Sequence, residues 1–219
     1  MSGVKTFYKR YWENQHIKVN SFDVHPGEWT KEDFEYHIKF FKPFIKGYLL
    51  DFGCGEGQFL NMISKYTQNA KGIDIAQNVL DKAKKNYPML EFKLLSDDGK
   101  IPYPDCSFDT ISAIDVLEHI LDIETVLEEY NRVLKPGGCV LIATSEITRS
   151  KLFLIMIKAF HQYFYPTSPH IRYFTKRNLA HVLKRKGFKV IKYQKNRTYF
   201  GFIPQGQMVI ASKIDRNGF

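Results

Sequence analysis

The chain has 219 residues and a mass of 25.7 kDa, the size of one moderate domain, long enough to bury roughly two-thirds of its unfolded surface. Its 44% hydrophobic and 25% charged residues are ordinary for a soluble globular protein, and no repeat or low-complexity tract interrupts them. Three cysteines, Cys54, Cys106 and Cys139, form no CxxC pair, which excludes a disulfide framework and a zinc knot and suits a reducing compartment.

The net charge of +9 permits an acidic substrate, a nucleic acid or an anionic membrane surface as partner. The basic residues are dispersed, densest at Lys82 to Lys85 and from Lys176 to Arg197, and read first as solvated helix faces and strand ends. The polar start "MSGVKTFYKRYWENQ" has no apolar core of a signal peptide. The longest strongly apolar run, Leu152 to Phe160, falls short of the ~20 residues a spanning helix needs. The expectation is a cytoplasmic protein.

Residues 1–46, rich in Tyr, Trp, His and Lys, read as one or two helices with a turn at "HPGEW". "GYLLDF" is a buried strand that runs through three glycines into the amphipathic helix "GQFLNMISKYT". "AKGIDIA" is a second strand, and "QNVLDKAKKNY" a helix stopped by Pro88. "LEFKLLS" and "FDTISAI" are the third and fourth strands, separated by the turn-rich "DDGKIPYPDCS". The helix "DIETVLEEYNRVL" then meets a "KPGG" turn before a fifth strand, "CVLIATS". A helix at "TKRNLAHVLKRKG" precedes the strands "FKVIKYQ" and "QMVIASKI", whose short connection predicts an antiparallel hairpin at one end of the sheet. The alternation predicts an α/β fold, a doubly wound, mostly parallel seven-stranded sheet with helices on both faces.

In such a sheet the ligand lies beyond the carboxyl ends of the strands, nearest the first strand-to-helix turn. Here that turn is Asp51-Phe-Gly53-Cys54-Gly55-Glu-Gly57, whose glycines allow close backbone approach. Asp74, about 20 residues downstream, could accept hydrogen bonds from ribose hydroxyls. These features suit NAD almost as well as another adenosine ligand. The spacing GxGxG, in place of GxGxxG, and the carboxylates of Asp51 and Glu56 favour a cation or ammonium over a pyrophosphate.

Four segments in register, "LLDFGCGEGQFL", "GIDIAQNVLDKAKK", "IPYPDCSFDTISAIDVLEHI" and "RVLKPGGCVLIAT", together resemble the class I S-adenosylmethionine (SAM) dependent methyltransferases. "HIRYFTKRNLAHVLKRKGFKV" extends the likeness toward the small-molecule and quinone-pathway O-methyltransferases. The resemblance implies one domain over 1–219: an N-terminal helical lid at 1–46, a SAM-binding core at 47–145, a substrate-recognition insertion at 146–175, and a C-terminal helix and strands at 176–219. It implies that Asp51, Gly53, Cys54, Gly55 and Gly57 contact the methionine half of SAM. Asp74 would hold the ribose, Ile75 and Asp97 the adenine with the Asp98 amide, and Ile114 would lie beside the sulfonium. Where the family often has Gly-Asp-Ala-Glu, this chain has Ser96-Asp97-Asp98-Gly99. Tyr8, Tyr11 and Trp12 would belong to the lid.

Methyl transfer to a hydroxyl also needs a base or a metal to take the proton. If "IDVLEHI" begins a helical turn, Asp115, Glu118 and His119 share one face. His119 is a candidate base, with Glu118 and Asp115 beside it. The same run, with His170 of "SPHIRYFT", resembles the Mg, Mn or Zn sites of metal-dependent O-methyltransferases. The expected function is methyl transfer from SAM to an oxygen or nitrogen of a small-molecule acceptor, a lipid, quinone precursor or sugar. The competing readings are an NAD-dependent oxidoreductase, an RNA-directed methyltransferase, and a SAM-binding module without chemistry. The apolar stretch from Lys151 to Tyr165 admits a greasy acceptor or a peripheral membrane contact.

Overall fold

A computed structural model describes residues 30–96, 98–158, 160, 170–199 and 203–214. Tyr8, Tyr11, Trp12 and Asp97 lie outside the described residues. Helix α1 (Lys31–Phe41) starts on a capping box, in which Thr30 Oγ1 accepts from the Asp33 amide at 3.2 Å and Asp33 Oδ2 accepts from the Thr30 amide at 2.9 Å. A short 3-10 turn (Lys42–Phe44) leads into β1 (Tyr48–Phe52).

The chain then alternates: α2 (Gln58–Ser64), β2 (Asn69–Asp74), α3 (Gln77–Asn86), β3 (Glu91–Leu94) and β4 (Phe108–Ile114). It continues through α4 (Ile123–Val133), β5 (Leu134–Ser145), α5 (Arg149–Lys158), α6 (Lys176–Arg185), β6 (Phe188–Tyr199) and β7 (Ile203–Lys213). The seven strands lie in the order β3-β2-β1-β4-β5-β7-β6. They are parallel from β3 to β5, while β7 is antiparallel to both β5 and β6.

Alternation along the strands divides the apolar side chains between two cores. Leu50, Phe52, Ile111 and Val140 pack beneath α4 and α6, together with Tyr130 and Leu183. Leu49, Leu141 and Ile210 pack on the other face beneath α1, α2 and α3, against Phe41, Leu60 and Leu80. Strand order reverses between β1 and β4, which opens a crevice at their carboxyl ends.

Two details depart from the sequence reading. The expected "KPGG" turn lies inside β5, because pairing jumps from Phe108↔Leu134 to Thr110↔Cys139 and Lys135 to Gly138 bulge out between. Gly137 takes a φ of 67° there. The last two strands are longer than the apolar runs that signalled them, pairing out to Tyr199↔Ile203. Hydrogen bonding across a hairpin continues where side-chain alternation has already faded.

Candidate functional site

The glycine loop leaves β1 at the switch point. The Gly53 and Cys54 amides both donate to the Ile73 carbonyl, at 2.8 and 3.0 Å, tying the loop to β2. Gly53 has a φ of 73°, and a side chain there would come 2.5 Å from Val116 Cγ2. The loop therefore packs directly against the segment after β4. Gly55, at a φ of 51°, faces open space within 4 Å. Backbone is bare at that point, and a ligand can approach it closely. Gly57 begins α2 in the left-handed conformation.

Asp74 holds the loop from the other side. Its Oδ2 accepts from the Gly55 amide at 3.0 Å and its Oδ1 from the Ala76 amide at 2.9 Å. Burial pushes its carboxyl up, while the amides of Ala76, Gly55 and Ile75 pull it back. Asp51 is only 3% exposed and accepts from Ser112 Oγ at 2.6 Å. Burial drives its carboxyl up to about 7; the Ser112 hydrogen bond opposes this and the neighbouring charge of Asp74 adds to it. Burial also holds the Cys54 thiol far above its ordinary value, so it is a packing group and no nucleophile.

The charge reading of the loop needs correction at Glu56. Its carboxylate pairs with Lys82 Nζ at 2.7 Å, a cation supplied by α3. Asp51 alone carries the buried acid of the loop. Further along, Ile75 is half-buried and Asp98 is exposed, its Oδ1 accepting from the Ser96 hydroxyl and, at 2.9 Å, from the Lys100 amide. Ile114, ending β4, packs against the core under α1 to α3.

The expected helical face of Asp115, Glu118 and His119 does not form. Asp115 sits at a φ of 51°, in the left-handed region, and its amide donates to Ala143 at 2.8 Å. That kink ends helical register, and a 3-10 turn (Leu117–His119) follows. Glu118 is 1% exposed and joins three segments. Its carboxylate accepts from Thr144 Oγ1 at 2.7 Å and from the Ser145 amide at 3.1 Å, while its carbonyl accepts from the amides of Ile171 and Arg172. This clamp sets His170 against His119, with ring centroids 4.8 Å apart and edge to face.

One ligand atom each from Glu118, His119 and His170 lies within 4.8 Å of the others, and Asp115 is no part of that cluster. Three of the four expected ligands thus meet. The fit to an ion is poor. Ligands about 2.1 Å from one tetrahedral metal stand about 3.4 Å apart, and both oxygens of Glu118 already accept hydrogen bonds. The arrangement suits a positioned imidazole better than a cation.

Sequence reasoning missed a second buried polar group at the same edge. Glu146, 4% exposed, accepts from the Tyr193 hydroxyl at 2.7 Å through Oε1, and its Oε2 has no hydrogen-bond partner among the described residues. Lys151, 8% exposed, donates to the Glu146 carbonyl at 3.0 Å. Burial pulls its ammonium down to about 8, against the attraction of Glu146. No periodic signal marks these residues, because Glu146 and Lys151 lie at the junction of β5 and α5 while Tyr193 comes from β6, 47 residues away.

The sequence profile of a family described as a methyltransferase domain matches residues 29–193, well over half of the chain. The demethylmenaquinone methyltransferase of Chlorobaculum tepidum is 32% identical over 167 residues, 66% of this chain and 66% of that one. The ubiquinone biosynthesis O-methyltransferase of Paracidovorax citrulli is 30% identical over 114 residues, 50% of this chain and 48% of that one. The match therefore spans about half to two-thirds of these relatives' length. Among solved structures, a SAM-dependent methyltransferase from Methanosarcina mazei superposes with a TM-score of 0.60 at 22% identity, covering 76% of this chain and 92% of that one. Another from Mesorhizobium loti gives 0.62 at 16% identity, covering 83% and 96%; at such identity both show the fold alone. The family match over residues 29–193, on a sheet whose glycine turn lies at the switch point, displaces the oxidoreductase reading: the chain belongs to the class I SAM-dependent methyltransferases.

Proposed function

We propose that the protein methylates a hydroxyl of a small-molecule acceptor of the quinone-precursor kind, with His119 as the base. The observation that supports this reading is the packing of Val116 against Gly53, which brings the segment that carries His119, three residues further on, up to the glycine loop. SAM supplies an activated methyl on a sulfonium, so the chain's task is alignment and removal of one proton.

In this reading Asp51, once ionised, faces the ammonium of the methionine half, and the bare backbone at Gly55 admits it, with Gly53 and Gly57 shaping the turn on either side. Asp74 exchanges its loop amides for ribose hydroxyls. Ile75 and the Asp98 amide border the adenine, with Asp97 as the proposed acceptor of its amino group, and Ile114 lines the methyl. His119 accepts the acceptor's proton, held in orientation by the Glu118 clamp and by His170. Support for an oxygen acceptor comes from the imidazole and from the O-methyltransferase among the relatives. No step is routed through a metal.

Calorimetry with SAM and S-adenosylhomocysteine tests the cofactor half of the proposal, and mass detection of a methylated dihydroxybenzoate tests the acceptor half. Heat with both adenosyl ligands and none with NADH is expected. Binding of NADH alone would overturn the reading.

A further inference from the structure

From Ile147 to Ile214 the chain carries fourteen Lys and Arg and no Asp or Glu. The whole of the +9 excess therefore resides in under a third of the sequence. Within it, α5 turns its apolar side outward. Phe153, Met156 and Ile157 are 64, 61 and 63% exposed, with Leu152 at 37% and Phe160 just beyond the helix at 49%. The spacing of the four within α5 places them on one face. The inward face holds Ile155 and, unusually, the ammonium of Lys151. Single exposed apolar residues are normal on a protein surface, but four on one helix face mark a contact.

Cations lie at the same end of the sheet as the stripe. Arg149 opens α5 directly after β5, and Lys176 and Arg177 open α6 just beyond Phe174, which pairs with Glu146. Lys195 lies opposite Gln207, which itself lies opposite Thr144 near the end of β5. All four are exposed, and none forms an ion pair with a described residue. By contrast, the basic cluster at the other end of the sheet is neutralised, Arg185 and Lys186 by Glu124 and Glu128. Positive charge without an ion-pair partner among the described residues and exposed apolar surface thus coincide at one end, the end that carries the candidate site.

We propose that this end docks on an anionic lipid surface, with α5 lying in the plane of the bilayer. Phe153, Met156 and Ile157 enter the boundary between headgroups and acyl chains, and the cations at that end meet lipid phosphates. RNA also attracts a basic surface, but it rewards cations and stacking rings, and the aliphatic stripe would stay wet against it. The proposal goes beyond methyl transfer and is measured without turnover.

The test is co-sedimentation of the full chain with vesicles of phosphatidylcholine alone or mixed equally with phosphatidylglycerol. Binding to the mixed vesicles is expected, weakened by added salt and by omission of phosphatidylglycerol. The double variant Phe153→Ser with Ile157→Ser should partition on the order of tenfold less well, with its circular dichroism and its heat of S-adenosylhomocysteine binding unchanged. A second variant, Arg177→Glu with Lys195→Glu, should lose the preference for anionic lipid. The proposal is overturned if the unaltered chain ignores mixed vesicles or if the serine variant binds them equally well. It is also overturned if the stripe instead holds two copies of the chain together, seen as a dimer that the serine variant abolishes. Retention of an RNA oligonucleotide without vesicle binding would overturn it equally.

Discussion

Replacing Asp51 by Asn should separate what the buried acid does for binding from what it does to stability. The carboxyl lies about 3% exposed with one hydroxyl partner, and burial raises it from 3.8 to about 7. Below the unfolded value both states are protonated and stability is unaffected by this group. Between the two values the folded state holds a proton that the unfolded chain has released, so stability falls as pH rises, until the loss is complete above about 7. A shift of this size, at 1.36 kcal/mol per unit, makes the ionised acid cost on the order of 4 kcal/mol at alkaline pH, an upper figure. Asn keeps an oxygen for Ser112 and carries no charge. Urea unfolding should therefore find Asp51→Asn more stable than the parent at pH 8.5, by a few kcal/mol at most, and close to it at pH 4. The same variant should bind S-adenosylhomocysteine at least tenfold more weakly at pH 8, having lost the acid proposed to face the ligand ammonium. In the parent, affinity should rise with pH up to about 7 as Asp51 ionises. A variant less stable than the parent at pH 8.5, or a parent whose affinity ignores pH over that range, would refute the reasoning.

Three further outcomes follow from single contacts. His119→Ala should lower the rate of methyl transfer by about 10²- to 10⁴-fold while calorimetry finds the S-adenosylhomocysteine affinity little changed; a rate within a few-fold of the parent would remove His119 as base. Gly57→Ala forces a side chain onto a φ of 83° and within 2.9 Å of the Phe92 ring, so thermal unfolding should show a loss of about 1 to 2 kcal/mol or more. Tyr193→Phe leaves the buried Glu146 carboxylate without its hydroxyl donor. Its unfolding free energy should drop by about 1 to 3 kcal/mol, and an unchanged value would mean that Glu146 is satisfied elsewhere.

Much of the candidate cofactor end is legible in the sequence, and for local reasons. The run Leu49 to Phe52, the glycines and the apolar positions of α2 lie within a few residues of one another, so strand, turn and helix announce themselves in order. Asp74 was legible too, because it ends the next strand. Glu56 was misread because its neutralising partner, Lys82, is a helix away. The 115–119 turn was misread because a helical pattern takes no account of Asp115 in the left-handed region, held there by a bond to Ala143 on β5. Glu146 and Tyr193 were not legible at all, since nothing in either segment points to the other.

What the sequence determined by itself was the doubly wound sheet, its antiparallel ending and the place of the glycine loop. Each depends on periodicity and on turn residues, which act over one or two turns of chain. What only the tertiary structure decided was the state of the acids and the company of the histidines. Asp51 becomes a near-neutral-pH acid through burial against β4, and His119 meets His170 through the three-way clamp at Glu118. Burial and the register of distant segments set desolvation and contact, and no stretch of residues encodes either one alone.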